Sequence, residues 1–289
     1  MKTSSKPLPK TRHVKPHRGR ISAPLDIWRR RLLIGIVVAY VAVLILGPIV
    51  GLFSGAFAEG AGAIITALGE PDVLSAFWLT VYIALITVAV HALFGTALAW
   101  VMVRHRFPGR RLLNAFIDLP FAVSPVVVGY MLLLVFGRNG MLAPLLDVLQ
   151  IKIAFAVPGM ILATLFVTLP FMAREIIPVL EAFGVEQEQA AATLGASSWQ
   201  TFWLVTFPAL RWGFIYGIIL TFARALGEFG AVLVVGGGIQ GHTESATLFI
   251  FRALDQRQYV GAYSAALVLG FLSLVLVVGT ELLRKRENK

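Results

Sequence analysis

The chain has 289 residues, of which 58% are hydrophobic and only 14% charged, with a formal net charge of +10 and no cysteine. Soluble domains are about 45–50% apolar and about 25% charged, so this composition excludes an ordinary water-soluble globule and points to lipid as the solvent. The lack of cysteine excludes a disulfide framework, a thiolate metal site and a cysteine nucleophile.

Residues 1–31 are polar and hold ten of the 25 Lys and Arg residues. They read as a disordered basic tail on the cytosolic side, held near anionic lipid. Without interleaved aromatics or a fold signature, the tail gives no case for nucleic acid as a partner. The apolar run that follows is too long for the core of a cleaved signal peptide, so an anchoring first span is expected. Six segments approach the ~20 apolar residues that cross a ~30 Å hydrocarbon core: 32–53, 76–103, 113–136, 155–177, 212–235 and 260–283. Their apolar runs are continuous, whereas a membrane barrel alternates along each strand, so the spans are expected to be helices. Pro120 and Pro125 in the third and Pro158 and Pro170 in the fourth predict kinks. The expected organisation is the tail 1–31 followed by a six-helix membrane domain over 32–285, with a structured loop at 180–210.

Lys and Arg placement orients the spans. The tail, Arg104, Arg106, Arg110 and Arg111 after the second span, Arg174 and Arg211 around the loop after the fourth, and Arg284, Lys285 and Arg286 after the sixth fall on one side. The opposite loops are poorer: 54–75 has neither residue, while 137–154 and 236–259 have two each. Both termini and the loop at 180–210 are therefore assigned to the cytosol.

That loop carries Glu188-Gln-Ala-Ala-Ala-Thr-Leu-Gly-Ala-Ser-Ser-Trp-Gln-Thr-Phe-Trp-Leu-Val-Thr-Phe-Pro208. It reads as a short helix, a bend permitted by Gly195, and a second amphipathic turn closed by Pro208. The alanines allow close backbone approach, and Trp199, Phe202, Trp203 and Phe207 offer the large contacts that anchor interfaces. A soluble partner gripping this loop could move the spans on either side of it.

Inside the fifth span, Arg224 and Glu228 stand four residues apart, a spacing that lets them pair across one helix face. A lone charge at mid-bilayer costs about 2.5–3.5 kcal/mol on insertion scales, so such a pair is expected to face protein or water. His91 reads as a hydrogen-bonded packing residue, and Asp118 as a helix-end cap. The five histidines are scattered and no paired acidic site, zinc-protease pattern or Walker A sequence occurs, so neither a catalytic centre nor a metal site is expected, and ATP hydrolysis would belong to another chain.

The spacing Gln189-Ala190-Ala191, three residues, Gly195, nine residues, Val205, one residue, Phe207-Pro208 resembles the EAA motif of binding-protein-dependent ABC importer permeases. Gln stands where that motif has Glu, Val for Ile and Phe for Leu, and Glu188 precedes the motif by one position. Segments 118–130 and 222–231 resemble the sulfate, thiosulfate and molybdate branch, and 121–127 with 136–140 are most similar to the W-type (CysW-like) permease subunits of sulfate/thiosulfate importers. The resemblance covers residues 25–285. It implies an all-α polytopic protein of type I (MetI-like) architecture in the bacterial inner membrane, with six transmembrane helices, N-in and C-in. It makes 188–208 a coupling helix through which Glu188, Gln189, Ala190, Ala191, Gly195, Val205, Phe207 and Pro208 contact a cytosolic ABC ATPase dimer that binds the ATP. It adds a homologous second permease subunit and an extracytoplasmic sulfate-binding protein as partners, and no cofactor in the chain itself. Arg224 would then lend positive potential to an anion path, tempered by Glu228, with Ser124 and Tyr130 as neutral donors. The implied cargo is sulfate or thiosulfate; the alternatives are molybdate or another oxyanion and, from another class, a non-ABC secondary transporter or channel, which would need no coupling loop.

Overall fold

The computed structural model describes residues 24–287, and among them every regular element is a helix. The expected tail lies outside the described residues up to position 23. Residues 24–31, expected in that tail, instead begin α1 (Pro24–Ala56): Pro24 pre-sets the first helical turn, and the helix rises straight into the apolar run. Residues up to Val50 form one compact unit and residues from Gly51 onward another. The described residues of the first unit all belong to α1, whose candidate span Trp28–Ala56 has a mean hydropathy of 2.8.

The second unit contains α2 (Ala61–Leu68), α3 (Pro71–Val90), a widened π turn at His91–Gly95 and α4 (Thr96–Arg104). Then come α5 (Arg110–Ala122), α6 (Pro125–Phe136), α7 (Ala143–Leu149), α8 (Val157–Phe183) and α9 (Glu186–Thr193). α10 (Ser198–Thr201), a second π turn at Phe202–Thr206 and α11 (Phe207–Leu226) follow, then α12 (Gly230–Gly236), α13 (Ala246–Asp255) and α14 (Tyr259–Glu287). Among the described residues five helices are long and apolar enough to cross a membrane, and six if the bent pair α5–α6 is taken as one span.

α8 is the central post. Its C-terminal half packs Met172, Ala173, Ile176 and Leu180 against Ala99 and Met102 of α4, Ile117 of α5 and Leu210 of α11. Its other half packs Ala163 and Val167 against Val128 of α6 and Ala231 and Val235 of α12. Buried threonines are satisfied within the helix, Thr164 and Thr168 donating to the carbonyls one turn back at 2.8 and 2.7 Å. His91 ties α3 to α8: its Nε2 lies 3.0 Å from both the Leu165 carbonyl and the Thr168 hydroxyl. At Gly129 of α6, an added Cβ would meet Val234 at 2.6 Å and the Ala231 carbonyl at 2.9 Å, so the α6–α12 contact requires glycine there. Beyond α12, Glu244 receives Arg252 at 2.6 and 3.0 Å, and that hydrogen-bonded carboxylate raises the Arg252 pKa above its ordinary value against the opposing cost of burial.

Two span expectations need correction. The kink expected in segment 113–136 is a full break that divides the span in two: α5 and α6 meet at 114°. Val123 (φ −94°, ψ 131°) and Ser124 (φ −59°, ψ 136°) are extended; at Ser124 the ring of Pro125 disfavours helical backbone. Nor does the fifth span run over 212–235. The spanning helix is Ser198–Leu226, and the chain leaves it at Gly227 before forming α12 separately.

Candidate functional site

The loop after α8 is built around one glycine and one carboxylate. α9 ends at Thr193 and the chain reverses at Gly195, whose φ of 86° lies in the left-handed region. An added Cβ there would touch nothing within 4 Å, so the requirement is for the dihedral and not for space. Ser197 then opens α10 with a capping box: its hydroxyl accepts from the Gln200 N–H at 3.3 Å while the Gln200 side chain accepts from the Ser197 N–H at 2.9 Å. Pro208 does not close a turn, as expected from sequence. It sits in the first turn of α11, and the helix runs through it from Ser198. Proline removes one i→i−4 bond, and the π turn at Phe202–Thr206 lies just upstream of it.

Glu188 is turned inward. Its Oε1 accepts from Arg104 Nη2 at 2.9 Å and from the Thr206 hydroxyl at 2.9 Å, and Arg104 Nη1 also donates to the Leu180 carbonyl at 3.3 Å. The side chains of Arg104 and Glu188 are only 9% and 15% exposed, and Thr206 is fully buried. The carboxylate thus ties α9 to the end of α4 and the root of α11, and through Arg104 the cluster also reaches the end of α8. Arg104 and Thr206 were not singled out from the sequence as site residues. Arg104 lies 84 positions from Glu188, and no local pattern marks the two as partners.

The outer side of the loop is open. Gln189, Ala190, Gly195 and Pro208 are exposed, while Ala191, Val205 and Phe207 are half-buried. Leu194 and Leu204 are 89% and 74% exposed. The aromatics form a ladder at the root of α11, with ring centroids of Trp199–Trp203, Phe202–Trp203, Trp203–Phe207 and Phe207–Phe214 5.0–5.6 Å apart. Trp100 of α4 meets Phe202 edge-on at 5.6 Å. Part of the aromatic surface expected to meet a partner is therefore consumed within the chain.

The second site lies deeper. Glu228 sits in the non-helical link after α11, so it does not share a helix face with Arg224 as the spacing predicted, yet the two pair at 2.9 Å. The Glu228 side chain is 2% exposed and that of Arg224 30%. Glu228 Oε1 also accepts the Ala231 N–H at 3.0 Å, which starts α12, and its backbone carbonyl accepts Thr247 at 2.7 Å. Arg224 lines a concavity of about 430 Å³ together with Pro120 to Pro125, Val167 and Phe171. The α5–α6 break thus brings Ser124 to the same concavity as Arg224. Tyr130 is 60% exposed on α6 and does not line it. Asp118 caps no helix end: it holds Arg174 of α8 in a bidentate pair at 2.8 and 2.5 Å, with Asn114 accepting from the same guanidinium at 3.1 Å. Among the described residues no three His, Asp or Glu side chains gather as a metal site would.

The molecule is thus a helical bundle with a central post, a span broken midway along its length and a knuckled loop between two spans. Residues 91–289 match the family model described as the inner membrane component of binding-protein-dependent transport systems, and the chain belongs to that family. It is 50% identical to the sulfate transport system permease protein CysW of Synechococcus elongatus over 89% of this chain and 90% of that one. It is 45% identical to the CysW protein of Escherichia coli K12 over 91% and 90%, and 46% identical to the chloroplastic sulfate permease 2 of Chlamydomonas reinhardtii over 89% and 70%. In fold it is similar to a chain of a bacterial ABC transporter that imports alginate, with a TM-score of 0.75 over 92% of this chain and 99% of that one at 17% identity. The chain is accordingly an inner-membrane, multi-pass permease with the type I importer fold.

Proposed function

We propose that this permease forms one half of the path of an ATP-driven importer that carries sulfate into the cell. A homologous permease subunit supplies the other half. An extracytoplasmic sulfate-binding protein delivers cargo, and two cytosolic ATPase subunits bind ATP and grip the loops. The chain itself makes and breaks no covalent bond and holds no cofactor. The sulfate assignment is supported by the CysW relatives at 45–50% identity over nine-tenths of the chain.

The observation that carries the mechanism is the α9–Gly195–α10 knuckle, exposed at Gln189, Leu194 and Trp199 but fastened behind by the Glu188–Arg104 cluster to three spans. A partner docking on the exposed side can therefore move α4, α8 and α11 together. ATP can shift the spans only by binding one arrangement more tightly than the other, and a rigid fastening makes that difference felt at depth. There the cation of Arg224 and the hydroxyl of Ser124 face the concavity where an oxyanion would pass. Glu228 tempers the cation so that a dianion is held weakly enough to leave.

The test is uptake of labelled sulfate, with molybdate as competitor, by the assembled importer in a deletion strain. Gly195→Val places a β-branched residue at φ 86° and strains the knuckle by about 1–2 kcal/mol. Uptake is expected to collapse while the protein stays inserted. Normal uptake by the inserted variant would remove the coupling role, and competition by molybdate at equimolar concentration would move the cargo assignment to another oxyanion.

A further inference from the structure

One seam, between α5 and α8, joins the Arg224 concavity to a second one. Phe121 of α5 and Phe171 of α8 both line the Arg224 concavity, and their rings meet edge-on with centroids 5.6 Å apart. One turn further along α8 stands Arg174, held by Asp118 and Asn114 of α5. Asn114 in turn lines a concavity of about 730 Å³, where α4 gives way to α5, together with Arg106, Arg110 and Arg111. The contacts 121–171 and 118–174 make the two helices antiparallel, which fixes the order along the seam: Arg224, the aromatic pair, Arg174, then three arginines at the end that the Lys/Arg asymmetry assigns to the cytosol. At about 3.6 residues per turn, Arg110, Asn114, Asp118 and Phe121 fall within about 80° of one another on α5, while Leu112 and Phe116 lie roughly opposite. The seam is open: Phe121 is 61% exposed, and the side chains of Arg174 and Asp118 are 34% and 45% exposed.

We infer that this seam is the cytosolic exit of the anion path: sulfate leaving Arg224 passes between Phe121 and Phe171, is met by Arg174 and is drawn on to Arg106, Arg110 and Arg111. The inference rests on the transport reading proposed above. Arg174 repeats the arrangement of Arg224, a carboxylate holding a guanidinium in place and leaving it partly exposed. A dianion moving along such tempered cations is met at each step and trapped at none, as conduction through several weak sites requires. The last three arginines have no ion-pair partner among the described residues, and no carboxylate lines their concavity. Their unopposed potential draws an anion outward along the seam. The aromatic pair offers no charge between Arg224 and Arg174, so it is the constriction of the route.

The chain has no cysteine, so single introduced thiols report on the seam in the whole importer, labelled during ATP-driven turnover and read as mass added to this chain. Asn114→Cys and Phe121→Cys should react faster with a negatively charged thiosulfonate reagent than with a neutral one, and sulfate at matched ionic strength should protect them. Leu112→Cys and Phe116→Cys, on the other side of the same helix, should show neither effect. Equal behaviour of the two sides would overturn the assignment. In vesicles, Arg106→Gln/Arg110→Gln/Arg111→Gln should slow maximal sulfate uptake about tenfold, with the ATPase subunits still bound and with or without phosphatidylglycerol in the phosphatidylcholine bilayer. Unchanged uptake, loss of the ATPase subunits, or a loss of uptake confined to phosphatidylglycerol vesicles would each overturn it, the last two because the arginines would then serve a protein partner or a lipid headgroup. Wild type that carries no sulfate would sink the transport reading itself, whereas wild type that carries it beside indifferent variants would sink the exit alone.

Discussion

Two Arg–Glu pairs of nearly equal length, both at 2.9 Å, are used in different ways. In Arg104–Glu188 both partners are sealed, at 9% and 15% exposure, and every hydrogen bond of the cluster reaches a different segment of the chain. In Arg224–Glu228 only the acid is sealed; the arginine is 30% exposed and lines a concavity at a broken span. The first arrangement fastens segments together and offers nothing to a ligand. The second holds a cation in place and offers it. The two pairs thus differ in which partner burial leaves open, and under the proposed function the open cation of Arg224 is the one an anion would meet.

The sharpest way to break the comparison is at Glu188. Glu188→Ala leaves Arg104 buried and unpaired, and breaking such a pair by removing one partner costs about 3–5 kcal/mol. The variant should lose sulfate uptake and thermal stability together. Arg104→Gln/Glu188→Gln removes both charges at once, so it should recover most of the stability while transport stays low, because ATP hydrolysis no longer moves three spans as one. Thermal unfolding, ATPase rate and uptake on the same reconstituted complex separate these outcomes. If the double variant transports normally, the pair is a mere packing contact.

A smaller stability effect and a cleaner transport effect are expected at Arg224. Arg224→Gln leaves Glu228 with its Ala231 N–H contact but without a cation, at a cost of about 1–3 kcal/mol. Arg224→Gln/Glu228→Gln should fold as well as the wild type and still import sulfate at least about tenfold more slowly, the loss of about 1.4 kcal/mol at the barrier. Its ATPase rate should remain responsive to the binding protein, in contrast to the Arg104/Glu188 double variant. Recovery of uptake in the double variant would make this pair structural too.

How much of this was legible in the sequence depends on the range of the interaction that decides it. The apolar runs of α1, α8 and α14 are local, and their spans were evident from hydropathy. The spacing from Gln189 to Pro208 is local too, so the loop stood out as a unit. The break at Val123–Ser124 was signalled only by Pro125, which also tolerates a kink; the continuous apolar content of 113–136 hides a 114° bend because hydropathy reports solvent and not direction. The same blindness ran the fifth span past Gly227 into α12. The Glu188 fastening is long-range, joining positions 84 and 18 residues apart, so one carboxylate could be placed in the right loop from sequence but not turned inward.

The smallest expected effects sharpen the edge of the Arg224 site. Ser124 lies on the concavity and Tyr130, six residues along α6, does not. At 1.5 Å rise per residue that separation is about 9 Å along the helix, too far for both side chains to touch one passing oxyanion. Ser124→Ala removes a neutral donor worth about 0.5–1.5 kcal/mol, so uptake should fall by roughly two- to tenfold with little change in stability. Tyr130→Phe removes only a hydroxyl from an exposed ring and should leave uptake unchanged. Equal losses in the two variants would mean that the path follows the face of α6 and not the break between α5 and α6, and Arg224 would then present its charge to the wrong place.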